Sequence, residues 1–436
     1  MFTALRYRDF RLLWSGLLVS FTGSFMQSAA LLWHVSLLVP PERRAIALGA
    51  MGLVRVGPVI LFSLISGVAA DAFDRRKLML LTQCLMAIVA GVLASLTFHG
   101  LTSPMPVYIL SACSAAAGAF DLPARQALVP TLVPREHLPN AISLNTIMFQ
   151  IASVTGPALG GLLIASADVG WVYVSNALSY TAVVIALLMM SPDRGRTAHA
   201  DGAEGRGGDL TVAAALEGLR FVFRAPLIRS TMLLDFFATF FSSATALLPI
   251  FAQDVLHVGA RGYGWLFAAP AAGALIASGI MVRAVDWIEN RGVVLVNAVL
   301  LYGLATVAFG ISKMFWLTFV CLALTGAADT VSMVFRNLIR QLETPDRLRG
   351  RMTGVNMIFF MGGPQLGELE AGLLAAWAGP VVSVVSGGIG CIVATLWVAA
   401  VTPRLRAYRK TPPVVVEIDP TIPAGDDRQE GRTGEL

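Results

Sequence analysis

About twelve apolar stretches, each roughly 20 residues long, follow one another along this 436-residue chain. A run of that length crosses the hydrocarbon of a bilayer as a helix, with every backbone polar group bonded inside the segment. Their approximate centres are Phe25, Val59, Ala87, Ala115, Val154, Val183, Phe240, Ala272, Val299, Leu324, Pro364 and Val393. A polar stretch from about Asp193 to Asp209 has no apolar period and divides the runs six and six. The expected organisation is a six-helix bundle over 1–192, a linker over 193–225 with a surface helix toward Phe223, and a second bundle over 226–402. A polar tail over 403–436, with Pro412-Pro413 and Gly425-Asp426-Asp427, is expected to be disordered. The predicted fold class is therefore an all-α membrane protein of twelve transmembrane helices.

Composition excludes several functions. Hydrophobic residues make up 56% and charged ones 14%, with a mean hydropathy of +0.71, far from the soluble average. The 41 glycines suit close helix packing in lipid. A net charge of +5 without a basic, aromatic-interleaved patch excludes nucleic acid as a partner. Cys84, Cys113, Cys321 and Cys391 all lie in apolar runs, with no CxxC and no nearby His, and read as packing residues rather than disulfides or metal ligands. The first run, from Leu12 to about Val39, is too long for a signal-peptide core and is expected to remain as a span.

Lys and Arg set the orientation. With the N-terminus inside, cytoplasmic segments hold Arg6, Arg8, Arg75, Arg76, Lys77, Arg135, Arg291, Arg347, Arg349, Arg404 and others, while external loops hold only Arg43, Arg44, Arg261 and Lys313. The positive-inside rule then predicts both termini in the cytoplasm.

The halves repeat. Cys113-x-x-x-x-Gly118-Ala119-x-Asp121 recurs at an offset of 208 as Cys321-x-x-x-x-Gly326-Ala327-x-Asp329. At an offset of 211, Arg125 falls on Arg336, Asn145 on Asn356, Gly156 on Gly367 and Gly161 on Gly372. At 215, Asp71 and Arg76 fall on Asp286 and Arg291, a worn second copy of the loop after the second run. Several matches in order identify two similar halves in parallel order.

That loop carries the sharpest motif. Gly67-x-x-x-Asp71-x-x-Asp74-Arg75-Arg76-Lys77 joins two spans, with an acid placed to pair with cations or a neighbouring helix end. It resembles the loop 2–3 signature of the major facilitator superfamily of transporters, with Ala72 and Asp74 replacing the family's Arg and Gly. The resemblance covers nearly the whole chain. Within the superfamily, Arg8-Asp9-Phe10-Arg11-x-x-Trp14, Phe73-Asp74-Arg75-Arg76 and Arg349-Gly350-Arg351 are most similar to the bacterial branch of siderophore and macrolide exporters. It implies two pseudo-symmetric six-helix bundles, a cavity lined by spans one, four, seven and ten, action as a monomer in the bacterial inner membrane, and a relay from Asp71, Arg75 and Arg76 across the ends of spans two, three and eleven. A topology determinant and helix cap is the plainer reading of the same loop.

Gly156-Pro157-x-x-Gly160-Gly161 resembles the signature of proton-coupled antiporters. Its proline permits a kink, and its glycines let a facing helix, such as span eight, come close. A tight crossing unrelated to transport direction is the alternative.

Charges inside apolar runs cost roughly 2.5–3.5 kcal/mol each at a helix centre, so each needs a partner. Arg55 lies about 24 Å from the cytoplasmic end of its span. It is expected either to pair with Glu368 or Glu370 as an external gate, or to snorkel outward. Asp235 and Asp329 lie roughly 13–17 Å from their cytoplasmic ends. The order of candidates for a proton carrier is Asp235, Glu368, then Asp329, the last of which has Arg336 two turns away on the same face. Asp121 and Arg125, spaced i,i+4, are expected to pair within their helix. Gln27, Gln150 and Asn145 either bind substrate or cross-link helices, and Trp33-His34 is expected as an interfacial anchor.

No nucleophile–base set, metal cluster or phosphate-binding Gly-x-x-x-x-Gly-Lys loop occurs, so neither an enzyme, a cofactor nor a metal is expected. The resemblance implies proton-driven export of a small amphipathic molecule such as a siderophore, macrolide or other drug-like compound, with protons and membrane lipid as further partners. A proton-coupled nutrient importer, or a non-transporting membrane sensor, is the alternative.

Overall fold

The computed structural model describes residues 3–191, 220–241, 244–345 and 348–410, without the side chains of 63–65, 67–72, 244, 349–351, 353, 354 and 357–361. Every regular element among these residues is helical. The first half contains α1 (Arg8–Leu38), α2 (Pro41–Ala72), α3 (Arg75–Phe98), α4 (Met105–Leu132), α5 (Leu138–Ser166) and α6 (Val169–Met189). The second contains α7 (Pro226–Phe241), α8 (Gly259–Ala284), α9 (Arg291–Ile311), α10 (Phe315–Glu343), α11 (Arg349–Ala378) and α12 (Pro380–Val401). Residues 220–224 are helical, whereas most of the expected linker, and the tail from 411, lie outside the described residues.

Eleven described spans are long and apolar enough to cross a membrane. The remaining helix, α11, is 30 residues long and owes its lower hydropathy to Gln365, Glu368 and Glu370. Large apolar side chains point outward, with Leu61 68% and Val282 79% exposed, as lipid-facing helices require. Exposed Trp287 lies near one end of the spans and Trp316 and Trp377 near the other, which matches aromatic belts at two interfaces.

The seventh span departs from the single helix expected of it. After α7 come a 3-10 turn at Ala244–Leu247 and a π-helical turn at Phe251–Val255. Pro249 between them removes a backbone donor, which accounts for the irregular hydrogen-bonding pattern.

Within the first half, α1 packs on α5 and α6, α3 on α4 and α6, and α2 on α4; within the second, α8 and α9 pack on α10, and α11 and α12 on α7. Two crossings join the halves: α2 on α11 and α5 on α8. Because lipid tails are as apolar as leucine, helices associate in a membrane mainly through close packing. Glycines therefore sit where the halves meet. A Cβ on Gly161 would lie 2.6 Å from the Gly264 Cα, and one on Gly372 would lie 2.7 Å from the Gly49 Cα.

The cores are unequal along the helix axes. At the end remote from the chain termini, one cluster runs through both halves, from Leu32, Leu48 and Tyr173 to Phe251, Leu266 and Phe309. At the end that carries the termini, the cores of the described residues are separate. Phe10, Leu13, Leu128 and Leu187 belong to the first half alone, and Leu234, Leu295, Phe335 and Ile339 to the second. Among the described residues, the halves are welded at one end and share no core at the other.

Candidate functional site: a central cavity between the halves

A cavity of about 510 Å³ lies between the two bundles. Its first-half wall is polar: Ser24, Gln27 and Ser28 from α1, Arg55 from α2, Ser111 and Ser114 from α4, and Tyr180 from α6. Thr239, Asp329 and Gln365 contribute the polar groups of the second-half wall. Ser24, Gln27 and Ser28 share one face of α1 because they lie three and four residues apart. A seam behind them holds α1 to α6: the Ser24 hydroxyl donates to the Tyr180 oxygen at 3.1 Å, and the Asn176 amide donates to Gln27 Oε1 at 2.8 Å. Gln27 thus both lines the cavity and cross-links helices. The Ser111 and Ser114 hydroxyls and Gln365 Oε1 are buried without hydrogen-bond partners among the described residues.

Arg55 turns toward α1. Its Nη2 donates to the Ser28 carbonyl at 3.3 Å, and no ion pair joins it to Glu368 or Glu370 among the described residues. Glu368 packs instead against the α2 backbone, where a Cβ on Gly52 would lie 3.0 Å from Glu368 Oε2. Among the described residues that oxygen is buried with no hydrogen-bond partner. The expected gate pair is therefore not formed among the described residues, where Glu368 faces Gly52 instead. Glu370 is half-buried.

The acids of the second half form one cluster. Arg336 lies 3.1 Å from both Asp235 on α7 and Asp329 on α10, and Arg340 lies 3.7 Å from Asp235. Asp235 and Arg336 are almost fully buried, whereas the Asp329 side chain is 41% exposed, on the cavity wall. Arg340 also donates to Asn337 at 2.6 Å and to Asn356. The Asp329–Arg336 pair was legible from spacing. That Asp235 shares the same guanidinium, and that Arg340 completes the cluster, was not.

Other expected positions separate. Asp121 and Arg125 do not pair with each other. Asp121 accepts from Thr82 and Gln83 of α3 at 3.0 Å each, while the Arg125 guanidinium lies 4.4 Å from the Phe21 ring centre. Both side chains point across to neighbouring helices rather than along α4. Gln150 and Asn145 do not line the cavity, although Asn145 Oδ1 is buried without a partner. Trp33 and His34 are buried rather than interfacial: Trp33 lies 5.1 Å from the Tyr263 ring across the halves, and His34 Nδ1 lies 3.0 Å from the Tyr173 hydroxyl. They belong to the welded end, which shields them from the interface.

In the Gly-Pro segment of α5, Gly156 and Gly160 admit α1 of the same half, and only Gly161 meets α8. Pro157 contributes its carbonyl to that contact, 2.6 Å from where a Gly264 Cβ would stand. In the loop motif, Asp74 caps α3 by accepting from the N–H groups of Arg76 and Lys77 at 2.9 and 3.2 Å. Arg75 donates to the Ala127 carbonyl, and Arg76 to the carbonyls of Leu188 and Ser191 at the end of α6. These bonds all stay within the first half. The surroundings of Gly67 and the side chain of Asp71 lie outside what the structure describes.

The closed end is pinned by bonds between halves. Tyr263 donates to the Ala29 carbonyl at 2.8 Å, Gln253 to the Ser36 hydroxyl at 2.8 Å, and Arg44 to both Asp254 oxygens at 3.3 Å.

Twelve helices in two repeated halves, with a polar cavity at their crossing, define a transporter of the major facilitator class. The chain belongs to the transmembrane secretion effector family, whose model matches residues 1–413. It is 29% identical over 372 residues to the enterobactin exporter EntS of Escherichia coli O1:K1, covering 83% of this chain and 85% of that one. The Shigella boydii serotype 18 enterobactin exporter matches equally, at 29% over the same shares. Among solved structures, a bacterial homologue of the lysosomal transporter Spinster, inward-facing and unoccupied, superposes with a TM-score of 0.68 at 16% identity, over 93% of this chain and 99% of that one. A bacterial homologue of the iron transporter ferroportin gives 0.66 at 18% identity, over 92% and 99%. The family and these relatives are transporters, not enzymes.

Proposed function

We propose that this protein is a proton-coupled exporter that carries a small amphipathic organic molecule, a siderophore, macrolide or other drug-like compound, by alternating access between its two halves. The carrying observation is the inequality of the two ends among the described residues: a single core spans both halves beyond the cavity, and two separate cores lie on the terminal side. The Lys and Arg distribution makes the terminal side cytoplasmic, so the state described is open to the cytoplasm. The protein is a monomer of the bacterial inner membrane with both termini inside.

Rocking about the glycine crossings would part the outer core and bring the cytoplasmic ends together. Proton coupling is supported by the shared guanidinium of Arg336. A proton on cavity-facing Asp329 would leave Arg336 to Asp235 alone and loosen α10 from α7. Export and the cargo class are supported by the relatives named for enterobactin export.

The test uses everted membrane vesicles with an acid-inside gradient and a pH-sensitive dye. Siderophores, macrolides and cationic dyes are added in turn. Loss of luminal protons on adding one of them, present in the parent and absent in Asp71→Asn and Asp329→Asn, is the expected result. Silence across the panel with correctly inserted protein, or a response only under the opposite gradient, would contradict proton-driven export.

A further inference from the structure

We infer that the first-half wall of the cavity is an anion-binding site centred on Arg55, so that the cargo carries an acidic group, such as a carboxylate, phosphate or acidic phenol, beside its apolar body. The inference rests on the reading of this cavity as the transport site.

Charge bookkeeping along the cavity carries it. Asp329 and Arg55 are the charged residues of the described lining. Asp329 is already engaged by Arg336, inside a cluster of two acids and two guanidinium groups that balances itself. Arg55 has no ion-pair partner among the described residues: its hydrogen bond there is one long contact from Nη2 to the Ser28 carbonyl. A guanidinium presents five donors in a rigid fork matched to carboxylate and phosphate, so most of its donor capacity remains available. Glu368 lies against Gly52, and no ion pair joins it to Arg55 among the described residues.

The surroundings complete the site. Ser111 and Ser114 line the same cavity, their hydroxyls buried and without hydrogen-bond partners among the described residues. Buried polar groups are ordinarily satisfied, and unsatisfied ones call for an explanation. Two hydroxyl donors and a guanidinium around one space are satisfied together by an oxygen-rich anion. Leu31, Val56 and Val59 provide the apolar surface for the rest of the molecule. The cost of keeping a cation in the membrane is thus offset when the cargo is bound.

The test compares three probes that share one fluorophore: dansylglycine (a carboxylate), dansylamide (neutral) and dansylcadaverine (an ammonium). Each is titrated against the full chain in lipid nanodiscs, with empty nanodiscs subtracted. The parent is expected to prefer dansylglycine over dansylamide by about tenfold. Arg55→Gln should weaken dansylglycine by roughly thirtyfold while leaving dansylamide unchanged, and Arg55→Lys should keep part of the preference. Asp329→Asn should tighten dansylglycine, because it removes the opposing charge, and this arm stands even where Arg55→Gln fails to fold. Dansylglycine bound no better than dansylamide, or not at all, would overturn the site, as would a preference that survives in a folded Arg55→Gln. Vesicle flux separates the two claims. Proton-linked flux without an anion preference sinks only this inference, and an anion preference without flux sinks the export reading.

Discussion

Gly161 of α5 and Gly264 of α8 meet so closely that a Cβ on either would lie within about 2.7 Å of the other's Cα. Gly49 and Gly372 meet in the same way where α2 crosses α11, with the corresponding distances 3.0 and 2.7 Å. The two contacts are one contact used twice. Gly49 maps to Gly264 at the repeat offset of 215, and Gly161 to Gly372 at 211. A duplicated half supplies each partner of both crossings, which gives the halves a pair of equivalent bearings.

Filling one bearing should jam it. Gly161→Val forces side chain into backbone, and overpacking of this kind costs about 1–3 kcal/mol. We expect a lowered unfolding temperature and loss of vesicle flux. Gly118→Ala, where an added Cβ meets nothing within 4 Å, should leave both unchanged. Equal behaviour of the two variants would show that the crossing tolerates separation.

The charge cluster of α7 and α10 makes a signed prediction. Arg336→Met takes the guanidinium from Asp329 and leaves Asp235 to Arg340, and removing one member of a buried pair costs about 3–5 kcal/mol. Adding Asp235→Asn should recover part of that loss, read as thermal stability in detergent. Additive losses would show that Asp235 and Arg336 do not depend on each other.

Asp74 caps α3 through two backbone N–H groups. Asp74→Ala should cost about 1 kcal/mol, and Asp74→Ser, which restores an acceptor, a few tenths. Denaturation of the two variants side by side checks this. Equal losses would argue that charge, not capping, is what Asp74 contributes.

The Tyr263 hydroxyl joins the halves at the closed end through the Ala29 carbonyl. Tyr263→Phe removes about 1 kcal/mol from that closure, roughly a fivefold shift in the open-to-closed ratio. Spin labels at the exposed residues Arg43 and Arg261 report it as a larger long-distance population. An unchanged distribution would mean that this bond does not help to hold the end shut.

Span count, the two-half repeat and the glycine-rich crossings were legible in the sequence because apolar length and short motifs record them directly. Azimuth was not. Spacing along α2 gives the height of Arg55, yet which neighbour it faces depends on the packing of α1, α2 and α11. Hence Arg55 reaches Ser28, and Glu368 settles on Gly52. The same gap hid the joint hold of Asp235 and Asp329 on Arg336, which lie on two helices far apart in the chain. Ser24-x-x-Gln27-Ser28 was a readable signal for the cavity wall: three polar residues on one face of an apolar span. Burial of Trp33 and His34 follows from the packing of the two halves against each other at that end, which no local pattern encodes.

The central claim is that one cavity opens in turn to the two sides of the membrane. Its most direct test is the reactivity of Ser28→Cys on the cavity wall, with Cys84, Cys113, Cys321 and Cys391 replaced by alanine. A membrane-impermeant maleimide is applied to one face at a time, in right-side-out and everted vesicles. Labelling from the cytoplasmic face at rest, and from the opposite face as well once a proton gradient and cargo are supplied, is the predicted result. Labelling from a single face under every condition would contradict alternating access.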